Sequence, residues 1–356
     1  GSRRDADSTE SPEVTYFVPV QPGQRRSYGN TGTCCGGTGL ENHTKYQDSI
    51  YFRSVDGTTL YVNLYIASTL EWEEKGFSIR QDTRYPEEGF STLTVSGDGP
   101  LDIRLRVPDW ARKGYIVSIN GEAQAEVAEP GTYLTLSRRW STGDIIEISM
   151  PFSFRAEPAI DDPTIQSLYF GPTLMAILVG PVGEDLESGL LDMSLYRYMR
   201  LDGDLHMREL DGGLVAALPP GEEPVHMNRS TVGLTLAPFH ISDPVPSDWV
   251  PPEPDPDSPF RGRRGPPTTP YHLYFRRHEP KVVFGSQDSG VPNPGTPDGR
   301  TFLDDVWARA PFQNHAAFVS AVERMAAEWE GAGTLTASEA VSIGEAARRA
   351  EEDLRT

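Results

Sequence analysis

The sequence predicts a mainly β fold, with antiparallel β-sandwich domains that follow a short helical segment and precede a C-terminal helical hairpin. Three observations predict it. Short runs rich in β-branched and aromatic residues recur between about residues 58 and 150, separated by turn residues. Asn120-Gly121 is a strong hairpin signal between two such runs. Near the end of the chain, apolar residues at 318, 322, 325 and 329 follow helical spacing.

Composition limits the classes of function. The chain has 356 residues, 37% of them hydrophobic, which is enough for two or three domains with cores of their own. A net charge of −20 disfavours nucleic acids and anionic membranes as partners. No apolar run approaches the roughly 20 residues of a membrane span. The polar segment 1–14 predicts a disordered leader without the apolar centre of a signal peptide, and localisation stays open.

The first elements follow a glycine-rich loop. Leu40, Tyr46, Ile50 and Tyr51 have near-helical spacing and predict a short helix over about 39–51. After this helix the sequence pattern becomes typical of β-strands, and we expect residues 53–180 to form a β-sandwich. The runs that predict its strands are TTLYVNLYIASTLEW (58–72), FSIRQDT, STLTVSG, LDIRLRV, YIVSI, YLTLS, IIEISM and SLYFGPTLMAILVG.

A second β region is expected over residues 181–302, from the runs GLVAALP, STVGLTLAPFHIS and YHLYFRR. Within it, the segment 244–270 holds ten of the 31 prolines of the chain. Proline cannot donate to a strand ladder, so this segment predicts an excursion from the sheet. Its composition also predicts mobility, because it offers few apolar residues to bury.

The tail, residues 303–356, predicts two helices. Asn314 is a candidate N-cap for the first helix, and Thr336 with Glu339 forms a candidate capping box for an alanine-rich second helix. The apolar stripe of the first helix indicates that this hairpin is a packing element.

The two cysteines of the chain, Cys34 and Cys35, are adjacent in the stretch TGTCCGGTGLENH. Neighbouring Cα atoms are about 3.8 Å apart, whereas an ordinary disulfide requires roughly 4.4–6.8 Å. Three interpretations remain: two inert thiols, a metal site or a reactive thiolate. The polar, glycine-rich flanks differ from core composition, and thiolates are preferred zinc ligands. Glu41 and His43 could complete a local site, but a helix from about residue 39 would direct them elsewhere.

No other motif indicates chemistry. The seven histidines are scattered, without metal-ligand spacing, and His240 and His272 lie in strand-like runs where a structural role is expected. The GGTG after the cysteines lacks the preceding strand and the lysine of a phosphate-binding loop.

A resemblance to a known family rests on longer stretches. The chain resembles glycoside hydrolase family 127, the β-L-arabinofuranosidases and related bacterial proteins, over roughly residues 14–180, and more weakly as far as PYHLYFRR. The paired cysteines followed by an Asn-containing helix and this strand series make the signal specific. The stretches are YFVPVQPGQRRSYGNTGTCCGGTGLENHTKYQDSIYF, LYVNLYIASTLEW, IRQDTRYP, LRVPDW, VSINGE and RWSTGDIIEISMPF.

The resemblance implies a fold and a mechanism. Family members have an N-terminal (α/α)6 barrel followed by β-sandwiches, so residues 15–52 would be the C-terminal remnant of the barrel. Cys34 would be the nucleophile of a retaining hydrolase and a zinc ligand, and Cys35 the second thiolate ligand. The implied cofactor is zinc, and the implied substrate is an arabinofuranoside-type glycan. This mechanism departs from the usual pair of carboxylates.

The chain also departs from the family pattern. In relatives, the acid/base glutamate, a glutamate ligand and a third cysteine ligand lie upstream of the cysteine pair. Only 33 residues precede Cys34 here, and they contain no cysteine. We therefore expect a C-terminal half that is inactive alone and that has the barrel half as its partner. The alternative is a non-catalytic β-sandwich that binds carbohydrate or supports another subunit, since strands alone do not separate these functions.

Overall fold

The computed structural model divides the chain into two compact units, residues 37–153 and residues 1–36 with 154–356. The fold is mainly β with C-terminal helices, as the sequence predicts. The residues that the structure describes are 2–3, 13–14, 18–26, 34–125, 127–178, 190–193, 195–196, 199–201, 203, 207–210, 213–216, 234–241, 268 and 270–354.

The unit 37–153 is a β-sandwich of a six-stranded and a four-stranded sheet. The larger sheet has the order β10-β9-β12-β7-β6-β5, and the smaller has the order β11-β8-β4-β3. All strand pairs within them are antiparallel except β4 with β8. The strands are β3 (Tyr51–Arg53), β4 (Thr59–Val62), β5 (Ser68–Trp72), β6 (Phe77–Thr83), β7 (Phe90–Ser96), β8 (Gly99–Arg106), β9 (Ile116–Ile119), β10 (Glu122–Ala123), β11 (Tyr133–Trp140) and β12 (Ile145–Ser149).

Buried and exposed residues alternate along these strands, and the buried ones form one core between the two sheets. In β8, Leu101, Ile103 and Leu105 are buried while the residues between them are more exposed. Both sheets contribute to the same cluster of buried residues, which includes Ile79 from one sheet and Trp140 from the other. The indole N–H of the fully buried Trp140 donates to the carbonyl of Leu101 at 2.8 Å, so this large ring is buried without losing a hydrogen bond.

The apolar run 58–72 forms two strands, although its composition alone predicts one continuous segment. β4 belongs to the smaller sheet and β5 to the larger, so the chain crosses the core between them. Gln81 supplies hydrogen bonds to the backbone of this crossing segment, because its side-chain amide donates to the carbonyls of Leu64 (3.0 Å) and Ile66 (2.7 Å). Tyr65 is buried at the same point and its hydroxyl donates to the carbonyl of Arg106 at 2.6 Å.

The predicted hairpin at Asn120-Gly121 is confirmed between β9 and β10. Both residues have positive φ, 54° and 82°, as a type I′ turn requires. The side chain of Asn120 further accepts a hydrogen bond from the backbone N–H of Ile145 at 2.9 Å and donates to Asp144 at 2.9 Å.

We expect Gly121→Ala to lower the free energy of unfolding of the sandwich by about 1–2 kcal/mol. A Cβ at this position meets no atom within 4 Å, so the cost comes only from the left-handed backbone. The matched control is Gly331→Ala, at a helical glycine that also faces open space. That change should be neutral or stabilising, by at most about 1 kcal/mol. Urea denaturation measures both, and equal losses would contradict the assignment of strain to Gly121.

The helix near the cysteines begins earlier than predicted. It is α1 (Cys34–Lys45), followed by a 3₁₀ turn (Gln47–Ser49), whereas the sequence predicted a helix over 39–51. Glycines 36, 37 and 39 weaken a helix but do not prevent one, which is why the prediction of a turn there was wrong. The helical segment ends because the carbonyl of Ile50 accepts hydrogen bonds from the backbone N–H groups of Asn63 (2.9 Å) and Leu64 (3.3 Å), and this draws the chain into the sheet.

The second unit contains a nine-stranded sheet and a hairpin, β22–β23. Its main order is β16-β21-β14-β15-β19-β18-β17, with β13 pairing with β14 and β20 with β15. The strands are β13 (Phe154–Pro158), β14 (Ile165–Phe170), β15 (Thr173–Leu178), β16 (Leu191–Met193), β17 (Met207–Leu210), β18 (Gly213–Ala216), β19 (Leu234–Pro238), β20 (Tyr271–His272), β21 (Phe275–Arg277), β22 (Lys281–Phe284) and β23 (Gln287–Pro292).

The boundary between the two β regions lies at residue 153, and the predicted boundary at 180 requires correction. Strands β13, β14 and β15 were expected in the first sandwich. They belong to the second unit because β14 pairs with β21 and β15 with β19, partners that lie more than 50 residues later in the chain. Local composition does not reveal such pairings.

Three helices close the second unit: α2 (Phe302–Trp307), α3 (His315–Gly331) and α4 (Ala337–Arg349). The predicted caps are confirmed, with Asn314 accepting from the backbone N–H of Ala317 and Thr336 forming a capping box with Glu339. The predicted stripe of α3 is buried and shares one core with β14, β15 and β22. The tail is therefore a packing element, as expected. The buried residues of the stripe are Phe318, Val322, Met325 and Trp329.

Two predicted segments fall mostly outside the described residues. Of the leader 1–14, residues 2–3 and 13–14 form a short antiparallel pair, β1 (Ser2–Arg3) with β2 (Glu13–Val14). Of the proline-rich excursion 244–270, only residues 268 and 270 are described. In the described part of the chain, no helix is both long enough and apolar enough to cross a membrane.

Candidate functional site

The adjacent cysteines are the first two residues of α1. The sequence had placed them in a turn ahead of a helix, and the structure instead places Cys34 and Cys35 within the first helical turn. Their side chains lie outside the described part of the structure. The first turn of a helix is the position at which backbone N–H groups and the helix dipole favour a negative charge.

The sandwich fixes the C-terminal end of the segment that begins with α1. The carbonyl of Ser49 accepts a hydrogen bond from the side-chain amide of Asn63 at 3.0 Å, and Ile50 is buried in the core. The side-chain amide of Asn42 in α1 donates to the hydroxyl of Tyr46, the residue that follows the helix, at 3.1 Å. The chain that carries the cysteines thus leads directly into the edge strand β3.

Glu41 is the one member of the candidate local metal site whose side chain the structure describes. Glu41 is exposed and lies 3.9 Å from the ammonium of Lys45, one helical turn later. The side chain of His43, like those of the cysteines, lies outside the described part. Where side chains are described, no three His, Cys, Asp or Glu residues converge as metal ligands. As a donor set, two thiols suit the preference of zinc, but they are two of the four ligands that a tetrahedral site uses.

The two histidines that were expected to be structural occupy different environments. His272 is fully buried on β20, in agreement with a structural role. His240 lies exposed in the 3₁₀ turn Phe239–Ile241.

Sequence reasoning missed a buried ionic network in the second unit, which we call the Arg277 network (Arg277, Glu279, Asp304 and Tyr196). Arg277 donates to Glu279 from Nε at 2.7 Å and to Asp304 from Nη1 at 2.8 Å. The hydroxyl of Tyr196 donates to Asp304 at 2.5 Å. Glu279 also accepts the backbone N–H groups of residues 195 and 196, both at 3.1 Å. The network joins β21 to α2, and no local motif signals it.

The charges of this network are almost wholly desolvated. The side chains of Arg277 and Glu279 are 7% and 2% exposed. Burial raises the pKa of Glu279 above its ordinary value, even though the charge of Arg277 acts in the opposite direction. Burial by itself lowers the pKa of Arg277, but the attraction of Glu279 and Asp304 outweighs it and raises that pKa. The arrangement is structural, because every member has a partner within the network.

Comparisons with known proteins agree with this architecture. Residues 59–152 match the family model described as "Beta-L-arabinofuranosidase, GH127 middle domain". A curated relative, the non-reducing end β-L-arabinofuranosidase of Bifidobacterium longum subsp. longum, is 26% identical over 160 residues, which cover 43% of this chain and 23% of the relative. The chain thus spans about a quarter of the length of that relative.

Solved structures are similar in fold. One described as a glycoside hydrolase is 17% identical to this chain and has a TM-score of 0.50. The match covers 75% of this chain and 44% of the solved chain. Another, a GH127 β-L-arabinofuranosidase from Geobacillus stearothermophilus T6, is 20% identical over 73% of this chain and 39% of its own, with a TM-score of 0.48. The chain is thus similar to glycoside hydrolase family 127, and residues 59–152 match the model of the middle domain of that family.

Proposed function

We propose that the chain is part of a retaining glycoside hydrolase that acts on arabinofuranoside-type glycans. The observation that carries the proposal is the family match of residues 59–152, which begins 24 residues after the adjacent cysteines. The curated relative is a β-L-arabinofuranosidase, which supports the substrate class. In this proposal a helical-barrel part supplies the remaining catalytic groups.

Cys34 is the proposed nucleophile. Its thiolate attacks the anomeric carbon, the C–S bond forms, and the glycosidic C–O bond breaks. A carboxylic acid side chain of the barrel part protonates the departing oxygen. The resulting carboxylate then takes a proton from water, whose oxygen displaces the sulfur and regenerates the thiolate. The position of Cys34 in the first turn of α1 supports this role, because helix N-termini lower the pKa of cysteine thiols.

Cys34 and Cys35 are the proposed zinc ligands within this chain. Zinc, when bound, keeps thiols deprotonated at neutral pH. The other two ligands come from the barrel part in this proposal, because a tetrahedral zinc site uses four.

The first test uses this chain alone. With two of four ligands, we expect much less than one zinc per chain, thiols that react with iodoacetamide, and no release of nitrophenol from p-nitrophenyl β-L-arabinofuranoside. Elemental analysis, mass spectrometry of the alkylated protein and absorbance measure the three. Stoichiometric, tightly bound zinc would contradict the shared site and favour the local set of Cys34, Cys35, Glu41 and His43.

The second test adds the proposed barrel part as a fusion or in trans. Zinc should rise to about one per complex, and hydrolysis should appear. Cys34→Ser should then abolish turnover, because a serine hydroxyl is not deprotonated as a thiol is. Circular dichroism of that variant controls for folding. Turnover that survives Cys34→Ser would remove the cysteine from its role. Sugar binding without turnover in the wild-type complex would favour a non-catalytic module.

A further inference from the structure

A chemically labile dipeptide lies in the hairpin between β9 and β10. Of the asparagines in the chain, only Asn120 is followed by a glycine. The backbone nitrogen of the residue after an asparagine is able to attack the side-chain amide, and glycine presents no Cβ that hinders the approach. The exposed turn Asn120-Gly121 therefore contains both reacting groups of a deamidation, with solvent water as the co-reactant.

Packing does not shield the attacking nitrogen. A Cβ placed on Gly121 would meet no atom within 4 Å, so the backbone at this point faces open space. The strand that follows, β10, consists of two exposed residues and is the last strand of the six-stranded sheet. Short edge elements that bury little surface open at low cost in free energy. Protection of Asn120 therefore depends on the hydrogen bonds of its own side chain.

Two hydrogen bonds fix the amide of Asn120 on the neighbouring segment. Its Nδ2 donates to the carboxylate of Asp144 and its Oδ1 accepts from the backbone N–H of Ile145, both at 2.9 Å. The bond from Asn120 is the largest cause that holds the pKa of Asp144 below its ordinary value, so the donor faces a charged carboxylate. Rotation of the amide toward the nitrogen of Gly121 breaks both bonds.

We propose that Asn120 is a deamidation site whose reaction is gated by its hydrogen bonds to Asp144 and Ile145. When the gate opens, the backbone nitrogen of Gly121 loses its proton and attacks Cγ of Asn120. The new C–N bond closes a succinimide ring, and the side-chain nitrogen leaves as ammonia. Water then opens the ring at either carbonyl, giving aspartate or isoaspartate without any oxidation or reduction. The proposal is independent of the proposed function.

The product weakens the hairpin that protected the reactant. The amide nitrogen that faces Asp144 at 2.9 Å becomes a carboxylate oxygen, so two like charges meet where a donor and an acceptor had met. Isoaspartate also lengthens the main chain by one methylene group, which the two-residue turn does not accommodate. Because ammonia leaves, each event is permanent, and the site records how often the edge of the sandwich has opened.

Peptide mapping by mass spectrometry tests the gate in the full chain. The chain is incubated at pH 8.5, folded in buffer or unfolded in urea, and conversion of the peptide that contains residue 120 is followed with time. The folded wild type should convert at least about tenfold more slowly than the unfolded chain, because opening precedes reaction. Asp144→Ala removes one of the two bonds and should raise the folded rate about two- to tenfold, with no change in urea.

Three controls separate the gate from other effects. Asp144→Asn keeps an acceptor but removes the charge, so its folded rate should lie between those of the wild type and Asp144→Ala. In urea, Gly121→Ala should convert several times more slowly than the wild type, since the added Cβ hinders the attack. Asn42 is also exposed but precedes a histidine, so it should convert more slowly than Asn120 in urea.

A stability measurement tests the consequence. Asn120→Asp, which reproduces one product, should lower the melting temperature of the sandwich by about 2–6 °C. Asn120→Asp combined with Asp144→Asn exchanges the acid and the amide, restores one donor between them and should recover most of that shift. The matched control is Asn42→Asp, because Asn42 donates to the neutral hydroxyl of Tyr46 and its change should have little effect.

Several outcomes would overturn the proposal. Equal rates in the folded and the unfolded chain would show that the fold provides no gate. A folded rate that Asp144→Ala leaves unchanged or lowers would show that Asp144 does not restrain the reaction. The same conclusion follows if folded Asp144→Ala shows no conversion over an interval that converts the unfolded chain. An unchanged melting temperature in Asn120→Asp would remove the proposed effect on the hairpin.

Discussion

Arg277→Met should destabilise the second unit by about 3–5 kcal/mol, the cost of leaving a buried charge without its partner. The side chain of Glu279 is 2% exposed, so water cannot replace the guanidinium. Adding Glu279→Gln should recover part of the loss, because it removes the uncompensated charge. Denaturant unfolding measures each variant.

The matched control is Arg348→Met. Arg348 also forms an ion pair, with Glu323 at 2.7 Å, but both side chains are about half exposed. Exposed pairs contribute roughly 0–1 kcal/mol, so this variant should unfold almost as the wild type does. Similar losses in the two arginine variants would show that burial of the Arg277 network has no energetic consequence.

The loss in Arg277→Met should depend on pH with a definite sign. Burial raises the pKa of Glu279, and without Arg277 the main opposing charge is gone. A carboxyl group whose pKa is higher in the folded than in the unfolded state stabilises the fold below its unfolded pKa, about 4.3, and loses that contribution as pH rises. The difference between variant and wild type should therefore be smaller at pH 4.5 than at pH 7.5. A difference that grows on acidification would contradict this sign.

Trp329→Ala should lower the free energy of unfolding by about 3–5 kcal/mol. Trp329 is 7% exposed and packs edge-on against Phe302 at a centroid distance of 6.0 Å. Its indole N–H also donates to Asp305 at 3.0 Å, so truncation removes a hydrogen bond as well as apolar contact. Calorimetric unfolding measures the loss.

Trp329→Phe separates the two contributions. It keeps an aromatic ring in the core but removes the N–H donor, and a bond to a charged acceptor contributes roughly 1.5–3 kcal/mol. We expect an intermediate loss for this variant. If Trp329→Ala were neutral, the helical hairpin would not be held by this stripe.

The features that the sequence predicts well depend on neighbouring residues. The strand at LDIRLRV, the hairpin at Asn120-Gly121 and the caps at Asn314 and Thr336 are local, and the structure confirms each of them. The match of residues 59–152 to the family model likewise rests on a continuous stretch of sequence.

The features that were missed depend on distant residues or on weak local preferences. The membership of β14 in the second unit is decided by pairing with β21, and the Arg277 network joins residues from position 195 to position 304. The start of α1 was missed because glycine is compatible with a helix but lowers its stability. Composition therefore could not decide between a helix and a turn.

The place of the helical hairpin in the chain has a consequence for protein synthesis. Residues 37–153 form a unit that can close while the ribosome is still translating the rest. The core of the second unit, by contrast, contains β14 and also Leu354, which is fully buried. At about 5–20 residues per second, the apolar face of β14 stays exposed for on the order of ten to forty seconds, until the C-terminal residues that pack on it have been synthesised. During that interval the nascent chain presents an exposed apolar surface, which makes chaperone binding most useful late in translation.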